Sequence, residues 1–173
     1  MKKLIIQIPA YNEAETLPEV LDDLPRYLEG IESIQVIVID DGSTDNTAQV
    51  ALEHGADFVL RHRNNLGLSK SFISGIQLAL SLGADIIINT DADHQYPGKE
   101  IEHLIQPVLA GEADLVIGDR QPQHNRNFSP WKRFLEKLGS AIARKVSDTD
   151  TPDAVSGFRA YSRYAALPLQ VYN

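Results

Sequence analysis

Short apolar runs alternate with longer stretches in which apolar residues recur every three or four positions. Leu4 to Ile8 reads as a strand that Pro9 is expected to stop. From Glu13 to Tyr27 the spacing is helical, with Leu17, Val20, Leu21, Leu24 and, just beyond, Leu28 on one face. Ile34 to Ile39 is a β-branched run of the kind found in strands buried on both sides. Ser43-Thr44-Asp45 offers an N-cap for a helix reaching about His54. Ala56 to Leu60 is a short strand. Gly67 to Leu82 is helical, with Phe72, Ile76, Ala79 and Leu80 inward and Gly83 closing it. Ala84 to Asn89 is strand, Gly98 to Leu109 helix, and Asp114 to Ile117 the last parallel strand. This order predicts an α/β fold: one domain with a mostly parallel sheet and helices on both faces.

Charge and composition narrow the partners. The net charge of -8 argues against a general nucleic-acid binder, and the absence of cysteine excludes disulfides, thiolate metal sites and cysteine nucleophiles. Lys2-Lys3 followed by Leu4-Ile5-Ile6 is cut off by Pro9, Asn12 and Glu13 too early for a signal peptide. No apolar stretch has the length of a membrane span. One block departs from the acidic background. Arg120, Arg126, Lys132, Arg133, Lys137, Arg144 and Lys145 are opposed only by Glu136, and Trp131, Phe134, Leu135, Leu138 and Ile142 recur among them at helical spacing. Two readings fit: a helix lying on an anionic membrane surface, or a core-packing helix with a solvated basic face.

The candidate chemistry sits just after the strands. Ile86-Ile87-Ile88-Asn89 runs into Thr90-Asp91-Ala92-Asp93-His94-Gln95. If strand geometry persists for two residues, both carboxylates point the same way. Such a pair suits Mg2+ or Mn2+, whose other positions are left to water and phosphates. A helix N-cap with acidic surface residues is the alternative. Four further clusters follow strands: Pro9-Ala10-Tyr11-Asn12-Glu13, Asp40-Asp41-Gly42-Ser43-Thr44-Asp45, Asn65-Leu66-Gly67-Leu68-Ser69-Lys70 and Gly118-Asp119-Arg120. Each alone is ordinary turn or capping chemistry. Placed together at the carboxyl edge of one sheet, they form the place where open α/β sheets bind ligands.

Taken with Ser156-Gly157-Phe158-Arg159, these motifs resemble the family 2 glycosyltransferases of the GT-A fold. Asp153-Ala154-Val155-Ser156-Gly157-Phe158-Arg159 resembles the polyprenyl-phosphate sugar transferases, the dolichyl-phosphate mannosyltransferase group. The resemblance implies a Rossmann-like GT-A sheet whose residues 1–118 bind the nucleotide sugar, and whose residues 119–173 begin an acceptor part that is incomplete at Asn173. It implies that Pro9, Tyr11, Glu13, Asp40, Asp41 and Asp91 face the nucleotide sugar. Asp91, Asp93 and Gln95 would hold Mg2+ or Mn2+. Arg120, Ser156 and Arg159 would meet the acceptor phosphate or the donor pyrophosphate, with Asp91, Asp93 and Arg120 as the catalytic set. The expected reaction is inverting, metal-dependent transfer from a nucleotide sugar to a polyprenyl phosphate, in the cytoplasm at the membrane face. A nucleotidyltransferase and a non-catalytic nucleotide-sugar-binding fragment are the alternatives. No Gly-x-Gly-x-x-Gly follows the first strand, which argues against a dinucleotide oxidoreductase. Sugar, base and lipid length stay open.

Overall fold

The computed structural model describes residues 2–118 and 157–171. Its centre is a six-stranded sheet of strands β1 (Lys2–Ala10), β2 (Ile31–Asp40), β3 (Phe58–Arg61), β4 (Ile86–Asn89), β5 (Leu115–Ile117) and β6 (Arg159–Ser162). The spatial order is β3-β2-β1-β4-β6-β5. β1 pairs in parallel with both β2 and β4, so the strand order reverses there. Such a reversal opens a crevice at the carboxyl ends of the strands.

Period-two alternation along β1 sorts its side chains into two cores. Leu4, Ile6 and Ile8 meet Leu17, Val20 and Leu21 of helix α1 (Leu17–Asp23), Ala51 of α2 (Thr47–Glu53) and Ile101, Leu104 and Ile105 of α4 (Glu100–Leu109). Ile5 turns the other way, toward Ile76, Ala79 and Leu80 of α3 (Leu68–Ser81) and Ala166 of α5 (Arg163–Ala166). A short 3-10 helix, Leu167–Val171, follows. The sheet is thus covered on both sides, as the strand–helix alternation predicts.

Three local expectations change. β1 does not stop at Pro9 but continues to Ala10. Its last pair with β4 is Gln7↔Asn89, so the N–H that proline lacks has no ladder partner to miss. α1 is confined to Leu17–Asp23, because Leu24 precedes Pro25 and takes an extended conformation (φ -69°, ψ 138°). Leu24 and Leu28 stay buried all the same. Finally, β6 is a strand the sequence pattern does not announce. It inserts antiparallel between β4 and β5, so β5 meets the sheet through an antiparallel neighbour. Arg120, Ser156 and the basic block Arg120–Lys145 lie outside the described residues. Among the described residues, no helix is long and apolar enough to cross a membrane.

Candidate active site

The loops after β1 and β2 are stapled together. Asn12, in the left-handed region at φ 56°, donates its N–H to Ser43 Oγ (2.9 Å) and accepts from Thr44 N–H through Oδ1 (2.8 Å). Glu13 N–H donates to Thr47 Oγ1 (2.9 Å), and Ala14 N–H to Asp45 Oδ2 (3.2 Å). Asparagine tolerates positive φ better than most residues, so it suits this reversal. The turn leaves Tyr11 44% exposed at the mouth of the crevice.

The adjacent carboxylates Asp40 and Asp41 have different tasks. Asp40, expected at the nucleotide, is fully buried and is not on the wall of the crevice. Its Oδ1 accepts from Ser43 N–H (2.9 Å) and its Oδ2 pairs with Arg61 Nε (3.0 Å), which shapes the Asp-Asp-Gly-Ser turn. Asp41 does line the crevice. Its carboxylate accepts from Leu66 N–H (2.9 Å) and Gly67 N–H (2.8 Å), and His62 Nδ1 lies 2.7 Å away. Burial pushes the Asp41 carboxyl up, but the hydrogen bonds from His62, Leu66 and Gly67 outweigh it and hold the group below the usual carboxylate range. Gly42 permits this closeness: at φ 75°, a Cβ there would lie 2.5 Å from the Asn64 carbonyl carbon. Sequence reasoning missed His62. Its position directly after β3, at the same edge as the other clusters, was the available signal.

The strand geometry postulated for Asp91 and Asp93 ends at Asn89. Both residues nevertheless line one cavity of about 360 Å³, together with Pro9, Tyr11, Glu13, Asp41 and the start of α3 at Gly67 and Leu68. Gln95 is not part of that wall; its side-chain amide donates to Asp93 Oδ2. His94, at φ 54°, reaches back to α1, with Nδ1 3.3 Å from Glu19 and Nε2 3.4 Å from Asp23. Asp23 in turn accepts from Gly98 N–H (2.6 Å). The acidic loop is therefore docked on a helix. Among the described residues, no cluster of three His, Cys, Asp or Glu side chains could hold a metal. Two carboxylates on one open cavity fit a hard ion that takes its remaining oxygens from a diphosphate and water.

A second cavity, of about 380 Å³, adjoins the first and shares Leu68 and Asp91 with it. Phe72, Ile73 and Tyr161 give it an apolar wall, and Asn89, Gly157 and Arg159 a polar one. Arg159 stands opposite Asn89 in the β4–β6 ladder, which brings this one member of the expected acceptor set to the crevice. Tyr161 packs against Phe72 with ring centroids 5.9 Å apart, and burial pushes its hydroxyl pKa up.

A family model described as Glycosyl transferase family 2 matches residues 5–167. The chain belongs to glycosyl transferase family 2. This family 2 domain is 35% identical over 166 residues to an uncharacterized protein of Methanocaldococcus jannaschii, covering 95% of the chain and 66% of that protein. It is 32% identical over 170 residues to polyprenol monophosphomannose synthase of Mycolicibacterium smegmatis, covering 94% and 62%. The chain thus spans slightly less than two thirds of these relatives' length. Among solved structures it resembles glucosyl-3-phosphoglycerate synthase of Mycobacterium tuberculosis in complex with Mn2+, UDP-glucose and phosphoglyceric acid. That match has a TM-score of 0.71 at 24% identity, covering 94% of this chain and 57% of the other, and it supports the GT-A fold. In this family 2 domain, the carboxyl edge of the sheet gathers Pro9, Tyr11, Glu13, Asp41, Asp91 and Asp93 around one cavity and Arg159 beside it.

Proposed function

We propose that the chain transfers a sugar from a nucleoside diphosphate to a polyprenyl monophosphate, with inversion at the anomeric carbon. One observation carries this reading: the cavity lined by Tyr11, Asp41, Asp91 and Asp93 meets the cavity lined by Arg159 at Asp91. A donor and an acceptor would share that boundary. The polyprenol monophosphomannose synthase relative supports a polyprenyl acceptor. The Mn2+ complex of the M. tuberculosis synthase supports a divalent cofactor.

In this mechanism residues 1–118 bind the donor, and residues 119–173 contribute to the acceptor part. Tyr11 offers a stacking face, while Pro9, Glu13 and Asp41 wall the nucleotide. Asp91 and Asp93 hold Mg2+ or Mn2+, with Gln95 fixing the Asp93 carboxylate. When bound, the ion supplies Lewis acidity that offsets charge on the departing diphosphate. A phosphate monoester with a second pKa of about 6 is largely a dianion at neutral pH, so the acceptor oxygen needs no general base. The chain's remaining task is placement. Arg159, with Arg120 and Ser156, binds the acceptor phosphate and aligns it. A lipid-phosphate acceptor fits a protein that works peripherally at the cytoplasmic membrane face.

A thermal-shift screen of common sugar nucleotides with Mn2+ identifies the donor. Transfer of its labelled sugar to a polyprenyl phosphate is the expected result. Donor binding without transfer would indicate a binding module instead.

A further inference from the structure

Two side-chain amides are buried in the middle of the sheet, where isoleucines surround them. Gln7 of β1 is fully buried and Asn89 of β4 is 6% exposed. Gln7 Nε2 donates to Asn89 Oδ1 (2.9 Å), and Asn89 Nδ2 donates to the Gly157 carbonyl (2.7 Å). Gln7 Oε1 is buried without a hydrogen-bond partner among the described residues. It faces Gly75 of α3, where a Cβ would lie 2.1 Å from it. An orphaned buried amide oxygen is costly, and an apolar pair would fill this space without that cost. The pair therefore calls for an explanation other than stability.

Gly157 supplies one. It lies two residues before Arg159, and Asn89↔Arg159 is the terminal pair of the β4–β6 ladder. Beyond that pair β4 offers the incoming chain no further ladder bond; Phe158 is held from the β5 side, its carbonyl accepting from Gly118 N–H (2.8 Å), and Gly157 is held by Asn89 Nδ2. Gly157 also touches the carboxylate of Asp91, since a Cβ on it would lie 2.4 Å from both carboxylate oxygens. A continuous line of contact thus runs from Gly75 through Gln7, Asn89 and Gly157 to Asp91.

We infer that Gln7 and Asn89 are positioning residues that hold Gly157 against Asp91 and so set the spacing between the metal carboxylate and Arg159. The inference rests on the proposed function above, in which Asp91 carries the ion. Groups that hold a metal's ligands in place change its affinity by roughly 10- to 100-fold when removed.

The test measures Mn2+ binding by electron paramagnetic resonance of the free ion, in the presence of UDP and, in parallel, GDP. It compares the full chain with Gln7→Leu, Asn89→Leu and the double variant. Asn89→Leu should weaken Mn2+ binding about tenfold, because it releases the Gly157 carbonyl that holds the loop against Asp91. Gln7→Leu should weaken it less, because the Asn89–Gly157 bond survives. The double variant should regain melting temperature relative to Asn89→Leu, because it orphans no amide. Its Mn2+ binding should stay as weak as that of Asn89→Leu. Mn2+ affinity that simply follows melting temperature across the set, or that is unchanged in Asn89→Leu, overturns the positioning role. A wild-type chain that binds Mn2+ with neither nucleotide overturns instead the function on which the role rests.

Discussion

His62 Nδ1 lies 2.7 Å from Asp41 Oδ1, and the same carboxylate accepts the backbone N–H groups of Leu66 and Gly67. One side chain therefore closes the whole loop from β3 to α3 over the end of β2. Asp41 shapes the wall of the crevice before any ligand arrives. Asp41→Asn puts an amide donor where protein N–H groups already point. We expect a stability loss of about 1–3 kcal/mol and weaker binding of nucleoside diphosphate and nucleotide sugar alike. Calorimetry on both ligands checks this; unchanged affinities would remove Asp41 from the crevice wall.

The same carboxylate makes stability depend on acid. The Asp41 pKa is lower folded than unfolded. Its contribution is thus fully present above the unfolded value of about 3.9 and is lost as pH falls through the folded value. Denaturant melts of wild type and Asp41→Asn from pH 6 downward should converge at the acid end. A gap between them that stays constant through this range would count against the assignment.

Asp93→Ala should abolish Mn2+-dependent donor binding, because one carboxylate does not replace two ligands on the cavity wall. Asp91→Ala should be nearly as severe, with the fold intact by circular dichroism. Donor binding at wild-type strength in either variant would show that the pair does not hold the ion.

Gly42→Ala should destabilise the domain by about 2 kcal/mol, since the residue has φ 75° and a Cβ would lie 2.5 Å from the Asn64 backbone. For a chain of this size that is a melting-temperature drop of roughly 4–8 °C. Gly111→Ala is the control: φ is 71°, but nothing stands within 4 Å of the added methyl. It should cost distinctly less.

If the basic block binds membranes, changing Lys132, Arg133 and Lys137 to glutamine should release the chain from anionic vesicles. Each basic side chain near the surface contributes about 1 kcal/mol, an attraction that salt screens. Co-sedimentation with neutral and anionic vesicles reads the effect. No sedimentation with anionic vesicles at low salt favours the core-packing reading of Trp131 to Lys145.

Periodicity revealed most of the sheet because the buried stretches of β1, β2 and β4 are covered on both faces and are apolar at nearly every position, Gln7 and Asn89 being the exceptions among β1 and β4. It failed where a strand is short. Arg159–Ser162 offers only Ala160 and Tyr161 to the interior, too few positions for alternation to register. Pro9 and Pro25 are the same residue type with opposite outcomes. The first sits where the ladder to β4 has already ended, although pairing with β2 continues, while the second forces its neighbour out of the helix. The acidic motifs were legible as a group. The division of labour between Asp40 and Asp41 was not, because it depends on which side chain faces Arg61 and which faces the crevice. Gln7 and His62 went unnoticed because the partners that give them meaning are remote in sequence.

The antiparallel insertion of β6 also sets an order of assembly. β3, β2, β1 and β4 come from the chain up to Asn89 and can zip together as it leaves the ribosome. The open flank of β4 must then wait for Arg159–Ser162, and Leu115–Ile117, though it packs against α4, finds its strand partner only in that late arrival. Throughout this interval Ile86-Ile87-Ile88 is an unpaired, strongly apolar edge, the kind that invites pairing between nascent chains. Synthesis speed and chaperone access through the intervening segment therefore bear on yield as much as the stability of the finished domain does.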